Sequence, residues 1–336
     1  TSALHNPCVP EQGWPAERRS FTRKQLDEIT AIKQRHARTC LIPSASLRVN
    51  PRQSSCHDLL LKETLPGLVS ILIPFRDRVE LTKICVQSLQ ANASDSVPFE
   101  IILIDNGSEE DCTKMWIQDI TQSTNIHCLR IDEPFNFSRL NNLARKACNG
   151  DHLLFLNNDI EFLSSNILNQ LLDPFAHPGT AAVGARLLYP DRSIQHQGVV
   201  IIKGERRCVL EPGKHLHQPE VIDSLIPLKV QEEFSAASAA CLLVKADRFD
   251  AIGGFNEELA VVFNDVDLCL RLREDSGHIV VTPHPTIIHH ESVSRGKDLE
   301  GKAWARHQRE SGLLRKNHAA LYAHGDPLTS PHLHHH

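Results

Sequence analysis

The sequence predicts an α/β domain built on a mostly parallel central sheet flanked by helices, and three observations carry that prediction. The runs "LVSILIPF" (68–75), "FEIILID" (99–105) and "HLLFL" (152–156) are continuously apolar rather than alternating, as in strands buried on both faces. Segments of helical period at 79–90, 111–122 and 138–148 separate the strand runs. Polar clusters close these strands: Arg76 and Asp77, then Asp105 and Asn106, then Asn157, Asn158 and Asp159. In open parallel sheets that carboxyl rim is where ligands bind.

The remaining elements follow by the same reasoning. Residues 21–37 carry Leu26, Ile29 and Ile32 at helical spacing among charges, which predicts one amphipathic helix. Pro43, Pro51 and Pro66 then break the chain into an extended connector. "IHCLRID" (126–132) supplies a further strand. Strands are expected at 181–187, 199–202 and 240–244, with a Pro- and His-containing loop at 203–227. "DRFDAIGGF" reads as a short helix stopped by Gly253 and Gly254. "NDVDLCLRLRED" reads as a second helix, followed by two short strands at 279–281 and 286–289 and a last helix at 299–318.

Composition narrows the function classes. A chain of 336 residues with 41% hydrophobic and 23% charged residues is an ordinary globular protein. Its net charge of −5 gives no electrostatic reason to bind nucleic acid. The apolar stretches are strand-sized, too short to span a membrane, and residues 1–5 lack the basic-then-apolar order of a secretory signal. Ten cysteines stand singly, without a Cys-x-x-Cys pair, and read as reduced thiols of a cytoplasmic protein.

Four polar clusters are candidates for chemistry. Asp105 suits either the cap of the next helix or a base and ribose hydroxyl at the rim. There is no GxGxxG and no P-loop, so glycine amides do not cradle phosphates, and a divalent cation is the common substitute. Asp159 is the candidate carboxylate ligand. His289 and His290 are candidate imidazoles, and adjacent strand residues face opposite ways, so one of them is expected to serve. Asn264, Asp265 and Asp267 open a helix. There the carboxylates either complement its dipole or take separate roles, Asp265 as general base and Asp267 as a brace for the loop or helix start. Ser238, Ala239 and Ala240, in "SAASAACLLV", either permit close approach of a substrate or simply pack.

In order and spacing, these clusters resemble the family 2 inverting glycosyltransferases of the GT-A fold, over about residues 68–296. "VSILIPFRDR" and "ILIDNGS" are similar to that family's first two strands, and "FLNNDIEFL" to its DxD-type metal motif. "SAASAACLLVKADRFDAIGGFNEEL" with "FNDVDLCLRLRE" is similar to its acceptor block and general-base motif, and "HHESVSRG" to its late His motif. "EPFNFSRLNN", "GARLLYPDRSIQHQGVV" and "DPLTSP" resemble a bacterial polysaccharide and O-antigen subgroup, rhamnosyltransferase-like.

The resemblance implies a GT-A catalytic domain at 66–296, with a nucleotide-binding half (66–160) and an acceptor-binding half (161–296). Residues 1–65 would be an N-terminal extension and 297–333 a helical tail, while the three closing histidines, 334–336, read as a tag remnant. Pro74, Phe75, Arg76 and Asp105 would hold nucleobase and ribose. Asn157 and Asn158 would border the diphosphate, with Asn158 where many relatives carry the metal motif's first acid. Asp159 and His289, with His290 as alternate, would hold Mn²⁺ or Mg²⁺. Ser294 and Arg295 would meet the diphosphate. Asp265 would be the base, and Ser238, Ala239, Ala240, Asn264 and Asp267 would lie on the acceptor side. The implied reaction moves a sugar from a UDP- or dTDP-sugar to a glycan or lipid-linked glycan hydroxyl. Residues 1–65 would pack on the sheet edge or dock a partner such as another glycosyltransferase module. The basic tail (Lys302, Arg306, Arg309, Arg315, Lys316) reads as a solvated helix face, or as a face for anionic lipid at the inner membrane surface if the acceptor is lipid-linked. The competing classes are a metal-dependent hydrolase and a non-catalytic sugar-nucleotide-binding module.

Overall fold

A computed structural model describes residues 67–93, 96–202, 209–211, 231–290 and 301–328. The expected helix at 21–37, the tag remnant, Ser294 and Arg295 lie outside the described residues.

The expected parallel strands form first. Strands β1 (Val69–Phe75), β2 (Phe99–Asp105), β3 (Ile126–Arg130) and β4 (His152–Leu156) lie in the order β4-β1-β2-β3, all parallel. Helices α1 (Val79–Asn92), α2 (Asp111–Ile120) and α3 (Phe137–Arg145) connect them. Alternate residues of one strand feed two separate cores. Leu72, Ile102 and Phe155 enter one apolar cluster, while Ile71, Ile73, Leu103 and Leu154 enter the other. That two-sided burial explains why these strands lack a polar alternation.

The second half extends the same sheet with mixed direction. Past β4 come β5 (Ile160–Phe162), α4 (Ile167–Leu172), a 3₁₀ turn (Asp173–Ala176), β6 (Thr180–Leu188) and β7 (Ile194–His196). A small separate pair, β8 (Val200–Ile201) and β9 (Val209–Leu210), precedes β10 (Glu232–Phe234) and β11 (Cys241–Lys245). Helices α5 (Ala246–Ala251) and α6 (Asn264–Glu274) lead to β12 (His278–His289), then α7 (Gly301–Asn317) and α8 (Ala319–His324). The main order is β10-β12-β6-β11-β4-β1-β2-β3, with β11 antiparallel to both neighbours. Along this path most pairings are parallel, as expected.

The two short strands expected at 279–281 and 286–289 are instead one strand. Pro283 and Pro285 lack donors and suggest a break, but the chain keeps its direction and resumes beside β6 with a shifted register after Thr282. Its first part pairs with β10 and its last with β5, where His289 stands opposite Ile160. β5, β7 and β10 have no counterpart in the sequence reading, and β9 falls within 203–227, expected as a loop, where it pairs with β8. The short strand expected at 199–202 contracts to Val200–Ile201.

Candidate active site

At the rim of β1 and β2 the expected nucleotide-side residues come together. The Asn106 amide donates to the Phe75 carbonyl at 2.9 Å, joining the two strand ends. The Phe75 ring packs edge-on against Trp116, so towards the rim this residue offers its main chain. Arg76 is exposed, 3.9 Å from Glu109. Asp105 is buried: one oxygen accepts from the Ser108 amide at 2.7 Å and the other from Arg130 at 2.9 Å.

The centre of the site is built where β12 meets β5. Antiparallel pairing with β5 sets His289 beside Asp159, and both side chains are buried. His289 Nε2 lies 3.1 Å from Asp159 Oδ1 and 3.2 Å from Asn157 Nδ2. On the other side of the ring, Nδ1 lies 2.6 Å from Gln195 Oε1, while Gln195 Nε2 donates to the His289 carbonyl at 3.3 Å. The amide's donor end is thereby assigned, so its oxygen must accept a proton from Nδ1. In the neutral ring Nε2 then carries the lone pair, which accepts from Asn157 Nδ2 and lies beside a carboxylate oxygen. Two electron-rich atoms at this distance suit a shared cation, and an oxygen–imidazole pair suits Mn²⁺ or Mg²⁺ completed by phosphate oxygens. Among the described residues no group of three or more His, Cys, Asp or Glu is gathered to hold a metal.

His290 points the other way, as strand geometry requires, with Nε2 2.9 Å from Glu161. Asn158 donates to Thr82 at 3.1 Å and so ties the end of β4 to α1.

Asp265 opens α6. Its carboxylate accepts from the Ala239 amide at 3.1 Å and from its neighbour Val266 at 2.8 Å. Burial raises its pKa. The two amides and nearby His196 pull it back down, and Glu211 pushes it up, leaving a net rise. The Asn157 amide donates to the Ala240 carbonyl at 3.0 Å, which links the Asp159 segment to the segment that holds Asp265. Ser238 supports this bend by accepting the Ala240 amide at 3.3 Å. Asn264 is buried and accepts the Asp265 amide at 2.7 Å. The acceptor block is partly packing: Ala237 lies so close to Gly184 that a Cβ there would stand 2.3 Å from it.

Asp267 does not join the site expected for it. It is buried between His318 (3.0 Å) and Arg271 (2.8 Å). Burial alone would raise its pKa, but these two partners hold it below the usual range. The reason is helical: two positions beyond Asp265, it faces away from that residue, towards α7 and α8.

Several supports were not singled out in the sequence. The loop before α6 is held on one side by α3. There the Phe137 amide donates to Ala260, Ser138 to the Leu259 carbonyl, and Asn142 to the Phe255 carbonyl. On the other side, fully buried Glu310 of α7 accepts the Val261 and Val262 amides at 3.1 and 2.8 Å. Gly254 makes this path possible: its φ is +73°, and a Cβ would meet Asn142 Oδ1 at 2.6 Å. Buried Asp326 accepts the Ile201 amide, the Ser235 hydroxyl and Arg273, which docks the tail on the acceptor half. The polar letters of "EPFNFSRLNN" and the Asp of "DPLTSP" are thus scaffolding for the loop and the tail.

Comparison with known proteins agrees with this geometry. Residues 70–223 match Glycosyl transferase family 2. The chain is 38% identical over 268 residues to uncharacterized protein y4gI of Sinorhizobium fredii, covering 79% of this chain and 29% of that one. It is 32% identical over 267 residues to O-antigen biosynthesis protein RfbC of Myxococcus xanthus, covering 79% and 20%. The chain therefore spans less than a third of the length of these two relatives. It is 25% identical over 241 residues to N-acetylglucosaminyl-diphospho-decaprenol L-rhamnosyltransferase of Mycobacterium tuberculosis, covering 67% and 77%. In fold it is similar to GalNAc-T7 solved with UDP, GalNAc and Mn²⁺ (TM-score 0.60, 13% identity, 76% of this chain and 50% of that one). It is also similar to mannosyltransferase PcManGT of Pyrobaculum calidifontis solved with GDP-Man and Mn²⁺ (TM-score 0.54, 13% identity, 90% and 83%). Fold, matched segment and relatives agree: residues 70–223 form a Glycosyl transferase family 2 domain, and the chain has the GT-A fold.

Proposed function

We propose that the chain transfers a sugar from a UDP- or dTDP-sugar to a hydroxyl of a glycan or lipid-linked glycan, with inversion at the anomeric carbon and dependence on Mn²⁺ or Mg²⁺. One observation carries the reading. His289 Nε2 lies 3.1 Å from Asp159 Oδ1, and a main-chain hydrogen bond ties that segment to the one whose Ala239 amide meets Asp265.

A divalent cation held by Asp159 and His289 would offset the charge that builds on the departing diphosphate. Pro74, Phe75, Arg76 and Asp105 would hold base and ribose at the neighbouring rim, and Asn157 and Asn158 would border the diphosphate. Asp265 would take the proton of the acceptor hydroxyl as its oxygen attacks from the face opposite the leaving group. Its raised pKa makes it a stronger base than a solvated aspartate. Ser238, Ala239 and Ala240 would border the acceptor. The names of the Myxococcus and Mycobacterium relatives favour a polysaccharide or diphospho-lipid acceptor and a deoxyhexose donor. Such an acceptor would place the chain on the cytoplasmic face of a membrane. Among the described residues no helix is long and apolar enough to cross one.

The test is a thermal-shift panel of nucleotide-sugars with and without Mn²⁺, followed by turnover with and without acceptor. One donor is expected to stabilise the chain only with the cation, because a ligand bound to the folded state raises Tm by mass action. Release of free sugar at the same rate without acceptor would make the chain a hydrolase instead.

A further inference from the structure

Strand β7 places a polar residue, Gln195, in the interior of the site, and the reaction proposed above does not use it. We infer that Gln195 is a positioning residue that selects the Nδ1–H form of His289 and so keeps Nε2 available to a divalent cation. The inference rests on reading Asp159 and His289 as the ligands.

The geometry leaves the amide little choice. Oε1 lies 2.6 Å from Nδ1 and Nε2 donates to the His289 carbonyl at 3.3 Å. Reversing the amide would set Oε1 against the His289 carbonyl, two acceptors face to face, and lose the bond that Nε2 makes there. Gln195 is buried, so bulk water is a poor substitute. Its strand is held separately from the ring it grips: β7 pairs with β6 through Leu187 and His196, and β6 in turn pairs with β12. Without this clamp the ring proton can move to Nε2. There an N–H would point at Asp159 and close the two residues into an ordinary His–Asp hydrogen bond, which leaves no lone pair for a metal. Gln195 therefore separates a self-satisfied pair from a ligand pair.

Two readouts test it, neither of them activity. In the full chain, long-range ¹H–¹⁵N spectra of labelled histidines, assigned against His289→Gln, are expected to show His289 as the Nδ1–H form. Mn²⁺ binding in the presence of UDP or dTDP, followed by electron paramagnetic resonance, is expected to weaken about 10–100-fold in Gln195→Leu. Gln195→Glu still accepts from Nδ1–H, so it is expected to bind Mn²⁺ no more weakly than wild type. An Nε2–H ring in wild type, or a Leu variant that binds Mn²⁺ as tightly as wild type, overturns the inference. If Gln195→Leu does not fold, the wild-type ring form and the Glu variant decide it. Wild-type chain that binds no Mn²⁺ with either nucleotide is a separate result: it removes the reading of Asp159 and His289 on which the inference stands.

Discussion

The carboxyl ends of β2 and β4 flank the same strand, β1, and each leads into a buried aspartate, yet the two are completed differently. Asp105 is answered locally: the Ser108 amide takes one oxygen and the Arg130 guanidinium the other. Asp159 instead faces an imidazole 130 positions later in the chain, whose proton is drawn to the far side of the ring by Gln195. A carboxylate matched by a resident cation is already neutralised. One matched by a lone pair suits an incoming positive charge. Equal burial of two acidic groups therefore does not imply equal roles; the location of the nearest proton separates them.

The largest effect is expected at the third carboxylate, Asp265. Asp265→Asn keeps its size and removes its basicity, and should lower turnover about 10²–10⁴-fold while the donor's Kd stays near wild type. Burial raises this group's pKa, so the acid limb of the rate profile in wild type should lie above the ordinary aspartate range. Turnover close to wild type in the Asn variant would remove the base from the account.

Two parallel changes separate the aspartates at the ends of β2 and β4. Asp159→Ala removes one of two proposed ligands, and Mn²⁺ affinity should fall by more than the roughly 10–100-fold typical of losing a supporting residue. Asp105→Asn should leave binding of Mn²⁺ alone unchanged and act on stability. It weakens a charge-assisted bond to a half-exposed Arg130, a loss of about 1 kcal/mol after solvent screening, seen as a fall of a few degrees in Tm. Equal losses of Mn²⁺ binding in the two variants would erase the distinction between the strand ends.

A smaller effect is expected away from both ends. Burial raises Glu232 on β10 to about pKa 7, above the value of an unfolded chain, so the folded state favours its protonated form. That preference contributes fully below about pH 4.5 and is lost as pH rises through about 7. Glu232→Gln should therefore raise Tm by a few degrees at pH 8 and have no effect near pH 4, which paired melting curves can check.

Much of the first half is legible in the sequence because burial on both faces writes an uninterrupted apolar run, as at 69–75 and 99–105. The second half is less so. β5, β7 and β10 are each three residues long, too short for a period to register. Asp159 and His289 drew notice as polar residues closing apolar strands, although no spacing rule links residues so far apart. Gln195 and His196 stand in a stretch noted only for its subgroup resemblance and carry no role there, yet both are buried, and nothing local reveals a partner that arrives by strand pairing. The tail misleads in the opposite sense. It reads as a solvated basic helix, but Glu310, Leu314 and His318 form a buried stripe at a spacing of four, and two of the three are polar. An apolar-period search cannot find a stripe whose burial is compensated by hydrogen bonds to Val261, Val262 and Asp267.

The most direct measurement is the anomalous signal of manganese in crystals of this chain grown with Mn²⁺ and a nucleoside diphosphate. The account predicts one ion in contact with an Asp159 carboxylate oxygen, His289 Nε2 and phosphate oxygens, with Gln195 still on Nδ1. An ion bound elsewhere, with His289 donating directly to Asp159, would contradict it.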